Sequence, residues 1–245
     1  MEFSFGIITN NNNIDNLYLI INSIKMLGIE KYEIIIVGGN KIFDDKNVRH
    51  ICYLDKSNSG DISIKKNIIT NESIYKNIVY MHDYIIFNKD WYDGFLKFGD
   101  GFDVCMNRIL NLDGSRYRDW CFWKDDSQKY INSNNCLLSY EITHLTNMMY
   151  ISGAYWVAKK DFMLKNKLNE KLSWGQGEDV EWSIRARKNT SFKMNTFSSV
   201  SLLKQKDRIF NETTQEENKI LNNLLKYDDS KSYENLINNH LKNWI

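Results

Sequence analysis

Several features that would identify a class of protein are missing from this sequence. Its 245 residues include no proline and four cysteines, which are widely spaced and form no Cys-x-x-Cys pair. That spacing indicates neither a zinc site nor a disulfide framework, so we expect buried free thiols. The formal net charge is +1, which argues against the broad positive surface that binds nucleic acid.

Long apolar runs are missing as well. No stretch approaches the length of a membrane span. The N-terminus, Met-Glu-Phe-Ser-Phe-Gly-Ile-Ile-Thr, lacks the basic and apolar regions of a secretory signal. We therefore expect a cytoplasmic protein without a transmembrane segment. The absence of proline accompanies abundant Asn, Ile and Lys, a bias typical of an AT-rich genome, so the Asn-rich patches carry no functional inference.

Short apolar runs alternate with helical patterns in the first part of the chain. The predicted strands are Phe3–Thr9, Tyr32–Val37, Val48–Tyr53 and Asn77–Met81. The predicted helices are Ile14–Leu27 and Ile62–Thr70. Strands that are apolar on both faces and alternate with helices predict a mostly parallel central sheet flanked by helices. Ligands bind such sheets at the carboxyl ends of the strands, which places Thr9-Asn10, Gly38–Asn40 and His82-Asp83 at the expected site.

The second part of the chain is less regular. The pattern predicts strands at Phe102–Ile109, Met149–Ala158 and Ser191–Leu203, helices at Asp90–Phe98 and Asp161–Leu168, and tail helices at Glu216–Lys226 and Tyr233–Leu241. Gly153 lies inside the second of these strands. A glycine there indicates close approach of a ligand or of another backbone.

Residues 173–182 read Ser-Trp-Gly-Gln-Gly-Glu-Asp-Val-Glu-Trp and are the most informative stretch. Glu178 and Asp179 fall in the first turn of a predicted helix, where the positive end of the helix dipole favours negative charge. The preceding glycines allow the loop to approach a ligand closely, and Trp174 beside carboxylates is a common way to bind a sugar ring. On spacing alone, acids that only stabilise the start of the helix explain the pattern equally well.

His82 and Asp83 directly follow an apolar strand. An acid at such a strand end can hold a divalent cation that in turn holds a diphosphate, and a neighbouring histidine suits manganese better than magnesium. In the alternative interpretation, Asp83 caps the next segment and His82 satisfies a backbone carbonyl.

The segment Asn111–Trp120 combines an Asp-Gly turn with alternating charged and aromatic residues. It is either the wall of a sugar site or a surface hairpin. A binding role is favoured because Trp120 and Trp123 would otherwise be costly to expose.

These motifs, in this order, resemble those of the GT-A glycosyltransferases, in particular the family-2-like inverting enzymes. Phe5–Asn10 resembles their opening strand, which lines the nucleobase pocket, and Val79–Ile85 resembles their metal-binding DXD segment. Tyr150–Lys160 resembles the strand beside the donor sugar, and Trp174–Asp179 resembles the Trp-Gly…Glu-Asp motif of the acceptor and catalytic region. The resemblance covers roughly residues 3–205.

The resemblance implies an α/β chain with a GT-A fold, a Rossmann-like and mostly parallel sheet flanked by helices, over residues 1–210. Residues 1–100 would be the nucleotide-binding half, 101–210 the acceptor half and 211–245 a C-terminal helical extension. The implied reaction transfers a sugar, with inversion, from a nucleotide-sugar donor to an acceptor hydroxyl. A UDP-sugar is the favoured donor, the acceptor is a glycan, a lipid-linked sugar or a protein, and the cofactor is a divalent cation, Mn²⁺ or Mg²⁺.

The resemblance also implies roles for particular residues. Asp179 would be the general base, Glu178 would position the acceptor or the donor, and His82 and Asp83 would hold the metal. The residues expected to bind the nucleotide sugar are Thr9, Asn10, Gly39, Asn40, Lys66, Asp83, Gly153 and Ala154. The residues expected to bind the acceptor are Trp174, Gly175, Trp120 and Arg118.

The chain departs from the family pattern at two strand ends. The DXD position reads His82-Asp83-Tyr84, with one acid, and Gly39-Asn40 stands where these enzymes often carry an acid that contacts the nucleoside. Lys204, Lys206 and Arg208 offer another source of positive charge for a diphosphate, or else form a solvated basic loop.

Two other functions stay open. A non-catalytic module that binds a sugar or a nucleotide sugar on the same fold is favoured by the single acid at the DXD position. A nucleotidyltransferase shares the sheet type, but such enzymes usually carry a Gly-rich loop with Lys or Arg after the first strand. This chain has Asn10–Asn13 in that place.

Overall fold

The computed structural model describes residues 1–43, 46–56, 60–123, 135–142, 149–172, 175–206 and 210–224. The predictions for Trp174, Arg208 and the helix Tyr233–Leu241 lie outside these ranges. Within them, every helix is too short or too polar to cross a lipid bilayer. The cytoplasmic location and the division of the chain at residues 100 and 210 stay predictions.

Strands and helices alternate through the first part of the chain, as the apolar patterns predict. In chain order they are β1 (Phe3–Ile8), α1 (Ile14–Lys25), β2 (Tyr32–Val37), β3 (Val48–Ile51), α2 (Ile62–Glu72), β4 (Asn77–His82), β5 (Ile85–Phe87), α3 (Trp91–Phe98) and β6 (Val104–Leu110). β1 is buried along its whole length, because α2 and neighbouring elements cover the sheet.

The later elements are shorter and include a second sheet. They are β7 (Cys121–Trp123), β8 (Asn135–Leu137), β9 (Met149–Tyr150), β10 (Tyr155–Lys159), α4 (Lys160–Lys165), α5 (Glu178–Ala186), β11 (Phe192–Leu202), β12 (Asn211–Glu212) and α6 (Gln215–Leu224). The four-stranded second sheet has the order β12-β8-β7-β9. This second sheet lies beside the main sheet, at the end where β9 leads into β10.

The main sheet has eight strands in the order β3-β2-β1-β4-β10-β6-β11-β5. The first four run parallel to one another, as their two-sided apolar character predicts. However, β10 runs antiparallel to both β4 and β6, and β5 runs antiparallel to β11. The whole sheet is therefore mixed. The reason is that the chain enters β10 at the carboxyl end of β4, where Tyr155 pairs with Met81.

The predicted strand Met149–Ala158 is two strands. β9 pairs with β7 in the small sheet, whereas β10 pairs with β4 in the large one. Between them the chain turns, and the Tyr155 N–H donates to the Ser152 carbonyl at 3.1 Å. Gly153 therefore lies at the corner between the two sheets, beside the carboxyl end of β4.

Stacked aromatic rings fix α5 against the main sheet. Tyr80 of β4 stacks on Trp156 of β10 with ring centroids 4.7 Å apart, and Trp182 of α5 stacks on Phe192 of β11 at 6.0 Å. Such pairs contribute about 0.5–1.5 kcal/mol each beyond the burial of their area. The start of α5, which carries the predicted catalytic acids, is thereby held on a packed support.

Candidate active site

A cleft of about 430 Å³ lies at the carboxyl edge of the parallel strands. Residues from six segments of the chain line it, most of them at or just after strand ends or at the start of α5. They are Ile62, His82, Tyr84, Tyr117, Arg118, Tyr150, Ser152, Gly153, Ala154, Gly175, Gly177, Glu178, Asp179, Val180, Lys206 and Phe210. The strand-end rule thus locates the site, and the predicted residues His82, Arg118, Gly153, Ala154, Gly175, Glu178 and Asp179 come together there.

A larger cleft of about 680 Å³ lies at the opposite edge of the sheet. Lys76, Asp103 and Lys159 are among the residues that line it, and Lys76 and Asp103 precede the strands β4 and β6. It contains none of the residues predicted to be catalytic or to bind the metal, the nucleotide sugar or the acceptor. The smaller cleft is the candidate site because the motifs converge on it.

The two acids at the start of α5 are held by backbone groups. Gly177, in a left-handed conformation at φ 68°, turns the chain into the helix. The N–H of Gly153 donates to Asp179 Oδ2 at 2.9 Å, and the N–H of Val180 donates to Asp179 Oδ1 at 2.9 Å. The carboxylate of Asp179 therefore has a fixed orientation while remaining half-buried on the cleft wall.

Close approach explains the glycine at position 153. A Cβ at this position would lie 2.9 Å from Asp179 Oδ2 and 3.0 Å from Glu178 Oε1. No real Cβ tolerates contacts this short without displacing its neighbours. The sequence predicted close approach of a ligand or of another backbone, whereas the groups that approach Gly153 are the two side-chain carboxylates.

Lys66 lies beneath the cleft and not on its wall. Its side chain is fully buried, and its ammonium donates to the Gly153 carbonyl at 2.9 Å and lies 3.5 Å from Glu178 Oε1. The ring of Trp156 packs against the ammonium, with the centroid 4.5 Å away. The expectation that Lys66 contacts the nucleotide sugar is therefore corrected, because its ammonium is buried and already binds the Gly153 carbonyl and the Glu178 carboxylate.

The buried pair shifts the titration of both partners. Burial lowers the pKa of the Lys66 ammonium, and the nearby Glu178 and Asp179 carboxylates oppose that shift. Burial and the charge of Asp179 raise the pKa of the Glu178 carboxyl, and Lys66 opposes the rise. Each charge is thus tolerated in the interior because the other is present.

The ends of β1 and β4 are joined by a hydrogen bond beside the cleft. The Thr9 hydroxyl donates to Asp83 Oδ2 at 2.7 Å and accepts from the Asn11 N–H at 2.9 Å. Burial raises the pKa of Asp83, while the Thr9 hydroxyl and Lys204 oppose the rise. The ends of β1 and β4 meet as predicted, and the Asp83 carboxylate joins them by accepting the hydrogen bond from Thr9.

The end of β2 meets the same junction. Gly38 has φ +127°, and a Cβ there would lie 1.9 Å from the Thr9 carbonyl oxygen, so the position requires glycine. The carbonyl of Asn40 accepts from the Asn11 side chain at 2.8 Å. Asn10 and Asn40 are exposed and Gly39 is half-buried, so these predicted nucleotide-binding residues form an open rim next to the cleft.

The donor set at His82 and Asp83 fits a divalent cation poorly. The described ranges contain no group of three or more His, Cys, Asp or Glu side chains that could hold a metal ion. The single carboxylate already accepts from Thr9. Lys66 and Lys206 lie close enough to His82 for their positive charges to act on it. A metal at this position would have few oxygen ligands and several cations nearby.

Two cations occupy the other wall of the cleft. The Lys206 ammonium lies 4.0 Å from the ring centroid of Tyr84 and 5.2 Å from that of Tyr117. The Arg118 guanidinium lies 4.8 Å from the Phe210 ring, and its Nε is buried without a hydrogen-bond partner in the described structure. This wall is therefore basic and aromatic.

Trp120, expected to bind the acceptor, is a core residue. It is fully buried, and its indole N–H donates to the Ile142 carbonyl at 2.8 Å, which removes the cost that would follow from exposing it. Tyr84, Tyr117 and Tyr150 line the cleft instead. The alternating charged and aromatic residues of Asn111–Trp120 indicated this wall but not which ring faces it.

The strand order and the position of the cleft define a GT-A fold, the fold predicted from the motifs. Similar solved structures share it. S. aureus TarS 1-349 matches with a TM-score of 0.54 at 13% identity over 81% of this chain and 60% of that one. The same TarS fragment in complex with UDP-GlcNAc matches with 0.54 at 14% identity over 85% and 60%.

A third structure, GalNAc-T7 with UDP, GalNAc and Mn²⁺, matches with a TM-score of 0.60 at 12% identity. The match covers 96% of this chain and 49% of GalNAc-T7. The chain thus spans about three fifths of TarS 1-349 and about half of GalNAc-T7. No protein-family model and no curated protein sequence matches it.

Proposed function

We propose that this protein is an inverting glycosyltransferase that moves a sugar from a nucleotide sugar to an acceptor hydroxyl. The observation that carries the proposal is Asp179, which is fixed at the start of α5 on the wall of a cleft at the strand ends. A UDP-sugar is the favoured donor, since TarS was solved with UDP-GlcNAc and GalNAc-T7 with UDP. A glycan, a lipid-linked sugar and a protein all fit as acceptor.

Asp179 is the proposed general base. Its two backbone hydrogen bonds set its direction, and a carboxylate keeps further lone pairs for an acceptor hydroxyl. Asp179 takes the proton of that hydroxyl while the hydroxyl oxygen bonds to the anomeric carbon, on the face opposite the nucleotide. The bond from this carbon to the phosphate oxygen breaks, and the diphosphate leaves with the electron pair. Proximity and orientation supply much of the rate.

Glu178 is the proposed positioning residue. It is buried, and its contact with Lys66 ties the start of α5 to the turn at Gly153. That turn in turn donates the hydrogen bond that orients Asp179. No step is assigned to a divalent cation, because the residues at His82 and Asp83 fit one poorly.

Replacing Asp179 by asparagine tests the proposal. Donor consumption and transfer are assayed with UDP-, GDP-, CMP- and dTDP-sugars, and nucleotide binding is measured by calorimetry. We expect D179N to lose about a hundredfold or more in turnover and to keep its nucleotide affinity. The control is D161N, which removes the same charge from the first turn of α4 at an exposed position outside the cleft.

Two results would contradict the proposal. Near-normal turnover by D179N removes Asp179 from the role of base. Binding of a nucleotide sugar by the wild-type protein, without hydrolysis or transfer of any donor, favours the non-catalytic binding module, which the single acid after β4 supports.

A further inference from the structure

Arg118 differs from the arginine two positions before it. Arg116 pairs with Asp119 at 2.7 Å and approaches Glu212 at 3.7 Å. Within the described ranges no salt bridge reaches Arg118, although its guanidinium lines the cleft. An arginine with unused donors at a cleft wall is suited to bind the paired oxygens of a phosphate.

Lys206 is in the same situation on the same wall. Its ammonium rests against the rings of Tyr84 and Tyr117, and no salt bridge reaches it within the described structure. Tyr117 links the two cations, because it directly precedes Arg118 in the chain while its ring contacts Lys206. Two adjacent cations that form no salt bridge in the described structure repel each other, and an anion with two or more charges relieves that repulsion.

The neighbouring charges support this account. Burial, together with Lys204 and Arg118, lowers the pKa of Lys206 to about 8. Two nearby acids belong to other contacts, since Glu178 pairs with Lys66 and Asp83 accepts from Thr9. Asp179 attracts the charge of Arg118 but forms no salt bridge with it in the described structure. The positive charge of this wall is thus left for a ligand.

We infer that Arg118 and Lys206 form an anion subsite that binds the diphosphate of the nucleotide-sugar donor in place of a divalent cation. This inference rests on the proposed function and adds to it the residues that stabilise the leaving diphosphate. When the bond between the anomeric carbon and the phosphate oxygen breaks, the electron pair passes to that oxygen. The guanidinium and the ammonium stabilise the charge that develops there.

Nucleotide binding to metal-stripped protein in EDTA tests the inference. Calorimetry is performed with UDP and GDP, and with uridine and guanosine as ligands without phosphate. We expect at least one nucleoside diphosphate to bind in EDTA, and R118M and K206M each to weaken that binding about tenfold or more. Nucleoside binding should stay unchanged, which also shows that the variants are folded.

The matched control is K193M, which removes an exposed lysine from the opposite end of β11 and should bind like the wild type. Diphosphate binding that requires added Mn²⁺ or Mg²⁺ overturns the inference. So does equal binding by R118M, K206M and wild type, and so does the absence of diphosphate binding under both conditions. Binding is measured without turnover, so a protein that binds through these cations but transfers no sugar contradicts only the proposed function.

Discussion

Replacing Lys66 by methionine tests the buried network beneath the cleft. The ammonium is fully buried, donates to the Gly153 carbonyl and lies 3.5 Å from Glu178 Oε1. Methionine keeps most of the volume but leaves a buried carboxylate without its cation. Breaking a buried pair in this way costs about 3–5 kcal/mol. In a chain of this size each kcal/mol lowers Tm by about 2–4 °C, so we expect a fall of about 6–20 °C.

A double-mutant cycle with Glu178→Gln separates the pair from simple packing. K66M/E178Q no longer buries an unpaired charge, so it should be more stable than the sum of the single changes predicts, by about 1–3 kcal/mol. The free energy of unfolding is measured for each variant by urea denaturation followed by circular dichroism. The control K193M, at an exposed position, should stay within about 0.5 kcal/mol of the wild type.

The same cycle makes a prediction about pH. Burial and Asp179 raise the pKa of Glu178, and Lys66 opposes the rise, so K66M raises that pKa further. A carboxyl group whose pKa is higher in the folded state binds more protons there than when unfolded, and stability then falls as pH rises. The deficit of K66M should therefore shrink as the pH is lowered from about 8 to about 5. Additive single effects, or a deficit that does not change with pH, would refute the coupling.

Two further changes address the cleft itself. Gly153→Ala adds a methyl group 2.9 Å from Asp179 Oδ2, so we expect kcat to fall about tenfold or more with little change in UDP affinity. Steady-state rates measure kcat and calorimetry measures the affinity. An unchanged kcat would contradict the role of the turn at Gly153. Lys206, with a pKa lowered to about 8, loses its charge above that pH, so UDP affinity should fall by up to about tenfold per pH unit there. Calorimetry across this range should find that K206R removes the decline, and a flat wild-type profile would contradict the assignment.

The strands of the parallel half could be predicted from the sequence because their signal is local. Tyr32–Val37 is an unbroken apolar run, and it forms β2 with the predicted bounds. Asn77–Met81 forms all but the last residue of β4. Once parallel strands are predicted, the rule that ligands bind at their carboxyl ends brings Thr9 and His82-Asp83 together, and this junction is present.

Other features depend on partners that are distant in the sequence. The run Met149–Ala158 is apolar on both sides of Gly153, and its division between two sheets follows from pairing with β7 and β4. The sequence of α2 does not indicate that Lys66 is buried, because the acid that compensates its charge, Glu178, comes from the start of α5. From the sequence, Trp120 is likewise interpreted as a ligand-binding residue. In the structure its indole N–H donates to the Ile142 carbonyl, which is distant in the sequence.

Glu178 and Asp179 are adjacent in sequence, but their surroundings differ. Glu178 is buried and faces the Lys66 ammonium, so its charge is used inside the protein. Asp179 is half-buried, lines the cleft and accepts from the backbone N–H groups of Gly153 and Val180. Lys66 and Arg118 attract its charge, but neither forms a salt bridge with it in the described structure. The acid paired with Lys66 stabilises and positions the start of α5, and the acid without a salt bridge is available to the acceptor. Loss of charge at Glu178 should therefore lower the free energy of unfolding and reduce kcat only indirectly, through the orientation of Asp179, whereas loss at Asp179 should change mainly kcat.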